Sequence, residues 1–164
     1  MGISCKYLSD DHGRLDDLLE CAAADGRPID IQVYSNFPAG LLHHVVIEEK
    51  IVMPAIKKFQ NGREAEVAAR LRRDHGALAG PLVPSPTPSI VTTIRSILRV
   101  RNPLEEKKVG LCQILDKVTG EEGGALLEKM RAVPEVRALS HDDPSGILDA
   151  TCRAVERAGH RAAF

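Results

Sequence analysis

The chain repeats itself. The segment DHGRLDDLL at residues 11–19 returns as DHGALAGPL at 74–82, and HVVIEEK at 44–50 returns as RNPLEEK at 101–107. Each half therefore carries Asp-His-Gly on one segment and, on the next, His or Arg followed four residues later by Glu-Glu. A fold that accepts this duplication must set two like hairpins face to face, with one shared site on a pseudo-twofold axis.

The segments read as helices. After the N-capping side chains of Ser9, Asp10 and Asp11, Leu15, Leu18, Leu19 and Ala22 recur at helical spacing until Gly26-Arg27-Pro28 ends the run. From Asp30 to about Phe59, Val33, Phe37, Leu41, Val45, Ile51 and Ile56 predict a long second helix, kinked at Pro38 and Pro54 and ending near Asn61-Gly62. A third runs from about Arg63 to Leu82 with Val67, Leu71, His75 and Leu78 on one face. PLVPSPTPS, with its four prolines between Pro81 and Pro88, then forms a stiff connector. A fourth starts near Ser89 and carries Ile94, Ile97, Leu98, Leu104, Val109, Leu111 and Leu115 to Gly120, with distortion expected at Pro103 and Gly110. Shorter helices are predicted at about 121–132 and 145–159.

Four amphipathic helices on short links predict an all-α fold, an up-down-up-down four-helix bundle. The bundle is expected to span residues 1–132, with a helical tail at 133–164 packing on or beside it. Its core must be aliphatic, because the chain is 43% hydrophobic but only 3% aromatic and has no Trp. At 164 residues such a core stands without staples.

Charge excludes some partners. Lys and Arg total 22 against 23 for Asp and Glu, so a net charge of -1 offers no field for phosphate backbones or acidic membranes. Nucleic acid and membrane partners are therefore not expected. Cys5, Cys21, Cys112 and Cys152 form no CxxC pair, which fits reduced thiols in a cytoplasm. The opening residues contain no signal-peptide core and no stretch reaches membrane-span length. The initial Met-Gly is not a myristoylation signal, since Lys6 stands where Ser or Thr is wanted.

The repeated residues are chemically suited to a metal. Residues i and i+4 differ by about 40° around a helix, so His44 and Glu48 project from one face and can grip one ion. Arg101 and Glu105 share that geometry. Imidazole nitrogen with carboxylate oxygen is a ligand set that iron, manganese and zinc accept. A ferritin-like centre would need Glu-x-x-His pairs, and the chain has none.

DHGRL, HVVIEE, DHGAL and RNPLEE together resemble the hemerythrin, or HHE cation-binding, family, whose pattern reads H, HxxxE, H, HxxxE. The resemblance covers roughly residues 9–120. It implies a bundle of the hemerythrin type, with His12, His44 and His75 as iron ligands and Glu48 and Glu105 as carboxylates bridging two irons. It implies a non-haem iron protein that binds or responds to dioxygen, nitric oxide or peroxide, with a redox partner if electrons are exchanged. An iron-dependent enzyme, reducing peroxide or nitric oxide or repairing iron centres, is one alternative. A degenerate interaction module with one structural metal or none is another.

The pattern departs at Arg101, which stands where the family has its fourth histidine. A guanidinium has no acceptor lone pair and stays protonated, so it cannot ligate. Two outcomes compete: a di-iron centre completed by water or another side chain, or a single metal with Arg101 standing in for the second cation. His43 points about 100° away from His44 and is read as an outer or surface residue. Glu49 and Glu106 read as solvent-side charges or partners of Lys50 and Lys107. Asp11 and Asp74 read as caps or acceptors for imidazole N–H groups. Cys112 is read as a buried thiol, and His141 and His160 as tail residues facing water.

Overall fold

The computed structural model describes residues 1–24, 27–57, 62–106, 110–137 and 140–164, and these hold helices and no strand. The first helix, α1 (Ile3–Ala22), starts earlier than its polar residues suggest. Cys5 and Leu8 extend the buried stripe that continues through His12, Leu15 and Leu19, so Ser9, Asp10 and Asp11 sit in mid-helix rather than at a cap. Burial of one more helical turn outweighs the local preference for capping there. The stop expected at Gly26 lies outside the described residues, but Asp30 does cap the next helix, accepting from the backbone N–H groups of Gln32 and Val33.

The long second helix is segmented by its prolines. A short α2 (Ile31–Tyr34) breaks at Ser35 before α3 (Asn36–Ile47), which places Pro38 in a first turn, where its missing N–H costs little. A π-helical turn, Glu48–Val52, then leads into α4 (Met53–Lys57). Pro54 cannot donate to a carbonyl one turn back, and the wider turn just before it, with Met53 N–H reaching Glu48 O, absorbs that gap. The end expected near Phe59 to Asn61 is outside the described residues.

Helix α5 (Gly62–Ala79) closes in a tight 3₁₀ turn, Gly80–Leu82, and α6 (Pro88–Glu106) opens with proline at its first position. The connector between them is tied to the C-terminal region by Ser85, whose backbone N–H and hydroxyl both donate to Asp143, at 2.8 and 2.6 Å. The fourth predicted helix is two: α6 runs through Pro103 and ends at Glu106, and α7 (Leu111–Thr119) starts after Gly110. A Cβ on Gly110 would lie 2.3 Å from Leu104 O and 2.6 Å from Glu105 O, so only glycine lets α7 begin against the end of α6. Val109 and Lys107, named in the sequence reading, lie outside the described residues. The two short helices follow as α8 (Gly123–Arg131) and α9 (Ile147–Arg157).

Helix α1 packs on α3 and α6, and α5 packs on α4 and α6, so the two duplicated hairpins meet. Helix α8 lies on α1, while α9 lies on α5 and sends Val155 and Ala158 into the main apolar cluster. That cluster holds Leu15, Phe37, Leu41, Leu78, Ile94 and Leu98; a second holds Leu8, Ile47, Val52, Leu71, Leu111 and Met130. Between them in the register of all four helical segments lie His12, His44 and Glu48, His75, and Arg101 and Glu105, all buried. Each fully buried aliphatic side chain contributes about 1.5–3 kcal/mol. Two such clusters can offset the desolvation of one ionic layer held between them.

Candidate metal centre

The local sequence of each helix aims one polar side chain inward where its apolar stripe would continue. On α1 the stripe reads Leu8, His12, Leu15; on α5 it reads Leu71, His75, Leu78. His44 lies in the last turn of α3 and Glu48 follows it one regular helical turn later, its N–H on His44 O, where the π-helical turn begins. Arg101 and Glu105 share a face of α6 one turn apart.

Four of the five predicted residues converge. One donor atom from each of His12, His44, Glu48 and Glu105 can be chosen so that all four lie within 4.8 Å of one another. His12 Nε2 and His44 Nε2 are 3.1 Å apart, His44 Nε2 is 3.2 Å from Glu48 Oε1, and His12 Nε2 is 3.1 Å from Glu105 Oε2. His75 stands to one side, with Nε2 at 2.8 Å from Glu48 Oε2 and 3.2 Å from Arg101 Nη2. Arg101 is completely buried, bonds Glu48 Oε2 through Nη2, and holds Nε 3.0 Å from Glu105 Oε1.

Each imidazole is fixed by a carboxylate on its outer nitrogen. His12 Nδ1 lies 2.8 Å from Glu106, His44 Nδ1 lies 2.8 Å from Asp11, and His75 Nδ1 lies 2.7 Å from Glu49. An ionised carboxylate only accepts, so each Nδ1 carries the proton and each Nε2 faces inward. Asp11 therefore has the acceptor role read from the sequence. Glu49 and Glu106 do not: they hold imidazoles rather than standing as free surface charges. The doubled Glu-Glu of each copy was the available signal, since its second carboxylate reaches the Asp-His-Gly histidine of the opposite copy. Asp74 has that acceptor role too, but toward the tail: it accepts from His160 Nε2 at 2.7 Å and from Arg70 Nε at 3.2 Å. His160 is thus buried, not water-facing, because the turn at Gly159 (φ 83°) brings the tail back over α5. His43 bonds the carbonyl of Val133 at 3.1 Å, and Cys112 is buried, as read.

The electrostatics call for positive charge. Burial alone would raise Glu48, but the charges of Arg101 and His44 and hydrogen bonds from His44 and His75 hold it well below the usual carboxylate range. Glu105 is pushed up by burial and by Glu48, more than Arg101 and His12 pull it down. Burial would lower His44, yet Glu48 and Asp11 lift it to about 9. Burial likewise opposes the charge on Arg101, and Glu48 and Glu105 overcome it and raise its pKa. Without an ion, a proton on His44 thus supplies charge that a metal would supply on displacing it. Both oxygens of Glu105 are buried without a hydrogen-bond partner of good alignment, as are Nε and Nη1 of Arg101. Two inward imidazole nitrogens and an unsatisfied buried carboxylate are a donor set that fits a divalent cation.

Residues 5–83 match the hemerythrin HHE cation binding domain. The family resemblance read from the motifs is thereby shown over α1 to α5, the stretch that carries His12, His44, Glu48 and His75. Arg101 and Glu105 lie beyond the end of the match. Comparison with curated proteins and with solved structures found no match. No described helix is long and apolar enough to cross a membrane.

Proposed function

We propose that this chain is a hemerythrin-type non-haem iron protein that binds or responds to a small ligand such as dioxygen, nitric oxide or peroxide. The observation that carries the reading is the buried convergence of His12, His44, Glu48 and Glu105, the first three of them within the segment that matches the hemerythrin domain. Iron held by these four side chains would supply a reversible one-electron change and a place for a small ligand to bind. The chain's own residues do the rest. Asp11 and Glu106 orient His44 and His12 and keep their Nε2 atoms inward. The apolar clusters above and below exclude water and strengthen every charge interaction between them.

Metal analysis of protein from iron-supplemented medium tests the reading first, followed by titration of the ferrous-loaded protein with nitric oxide and dioxygen. A reversible change in the absorption spectrum at stoichiometric ligand supports binding or sensing. Consumption of many equivalents of peroxide or nitric oxide per chain would move the assignment to an enzyme. Absence of bound iron, with manganese and zinc also at background, would overturn it in favour of an interaction module.

A further inference from the structure

We infer that Arg101 is a built-in second cation, so that the centre takes one metal ion per chain at His12, His44, Glu48 and Glu105; the inference rests on the metal-binding reading above. The two carboxylates divide their oxygens between two positive positions. Glu48 Oε1 and Glu105 Oε2 face His44 and His12, at 3.2 and 3.1 Å. Glu48 Oε2 and Glu105 Oε1 face the guanidinium instead, the latter at 3.0 Å. The guanidinium also lies 3.2 Å from the inward nitrogen of His75, against the atom with which that histidine would ligate. Arg101 thereby touches each of the three side chains that a second ion would need. Its side chain is fully buried, so its charge is neither screened nor free to move out of the layer.

The change reaches beyond one position. In the first copy Asp11 divides its oxygens between Arg14, at 2.7 Å, and the ligand imidazole of His44, at 2.8 Å. In the second copy Asp74 divides them between Arg70, at 3.2 Å, and the imidazole of His160, at 2.7 Å. The carboxylate that would orient a fourth histidine is thus engaged by the tail. The tail is held there by Ala163 N–H on Thr93 and by His160 N–H on Val155 O.

The test is metal content. Wild type, the double variant Arg101→His with His160→Gln, and Arg101→Ala are loaded anaerobically with ferrous iron, and separately with manganese, then desalted and measured by elemental analysis and native mass spectrometry. One ion per chain is expected for wild type and two for the double variant, a twofold rise, with circular dichroism verifying that each is folded. If the double variant does not fold, Arg101→Ala leaves His75, Glu48 and Glu105 open and is expected to take a second ion at least tenfold more weakly than the first. Two ions in wild type, or one ion in every folded variant, would overturn the inference. Background metal in wild type would instead overturn the metal-binding reading beneath it.

Discussion

Replacing Arg101 with Met in the metal-free protein removes a fully buried charge and leaves Glu48 and Glu105 facing each other in an apolar layer. Removing one partner of a buried ion pair costs about 3–5 kcal/mol. For a domain of this size each kcal/mol lowers Tm by about 2–4 °C, so the expected drop is roughly 6–20 °C. The lower part of that range is the better expectation, because burial and Glu48 already raise Glu105 from its ordinary value, which eases its taking up a proton. The sign of the pH dependence follows. A carboxylate whose folded pKa lies above its unfolded value costs stability at neutral pH, and the cost is relieved as pH falls through the folded value. The deficit of the variant relative to wild type should therefore shrink on acidification. Adding Glu105→Gln to Arg101→Met should recover part of the loss, because one of the two opposed charges is gone. Thermal unfolding followed by circular dichroism in the presence of a chelator, at several pH values, measures all three effects. A loss below about 1 kcal/mol at neutral pH would refute the claim that the guanidinium balances this layer.

Four further outcomes are expected. Asp11→Asn and Glu106→Gln each loosen an imidazole of the four-residue cluster and should weaken metal binding about 10–100-fold in a chelator competition. Glu49→Gln acts on His75 and Arg72 but on no member of the four-residue cluster, and should leave that affinity within about threefold, an asymmetry that two equal metal positions would not show. His160→Ala leaves the buried Asp74 with Arg70 alone and should cost about 1–3 kcal/mol in urea unfolding. Gly110→Ala forces a Cβ against backbone oxygens of Leu104 and Glu105 and should both destabilise the chain by about 1–3 kcal/mol and weaken metal uptake, because Glu105 must shift.

What the sequence made legible was what periodicity and duplication encode. The paired motifs picked out His12, His44, Glu48 and Glu105, which the structure brings together, and helical spacing placed α5, α8, α9 and the start of α6 within a few residues. It could not show that one predicted helix becomes α6 and α7, because the decisive contact is between Gly110 and carbonyls set by the packing of the chain on itself. Nor could it show the start of α1: the capping residues Ser9 and Asp10 are real local signals, overridden by burial of Cys5 and Leu8. The partners of the histidines were hidden for a similar reason. Glu106 lies 94 residues from His12, and His160 lies 86 residues from Asp74, so no local spacing links them. Their roles emerge only when the two copies are set against each other. Glu49 then supports the opposite copy's His75, as Glu106 supports His12, and the pairing breaks at Arg101 and at Asp74, which turns to His160.

The most direct measurement is an anomalous difference map from crystals grown with manganese or iron. A single peak per chain is predicted, bounded by His12 Nε2, His44 Nε2, Glu48 and Glu105, with the Arg101 side chain between Glu48 and His75. Two peaks, or one peak beside His75 with Arg101 turned away, would contradict the account.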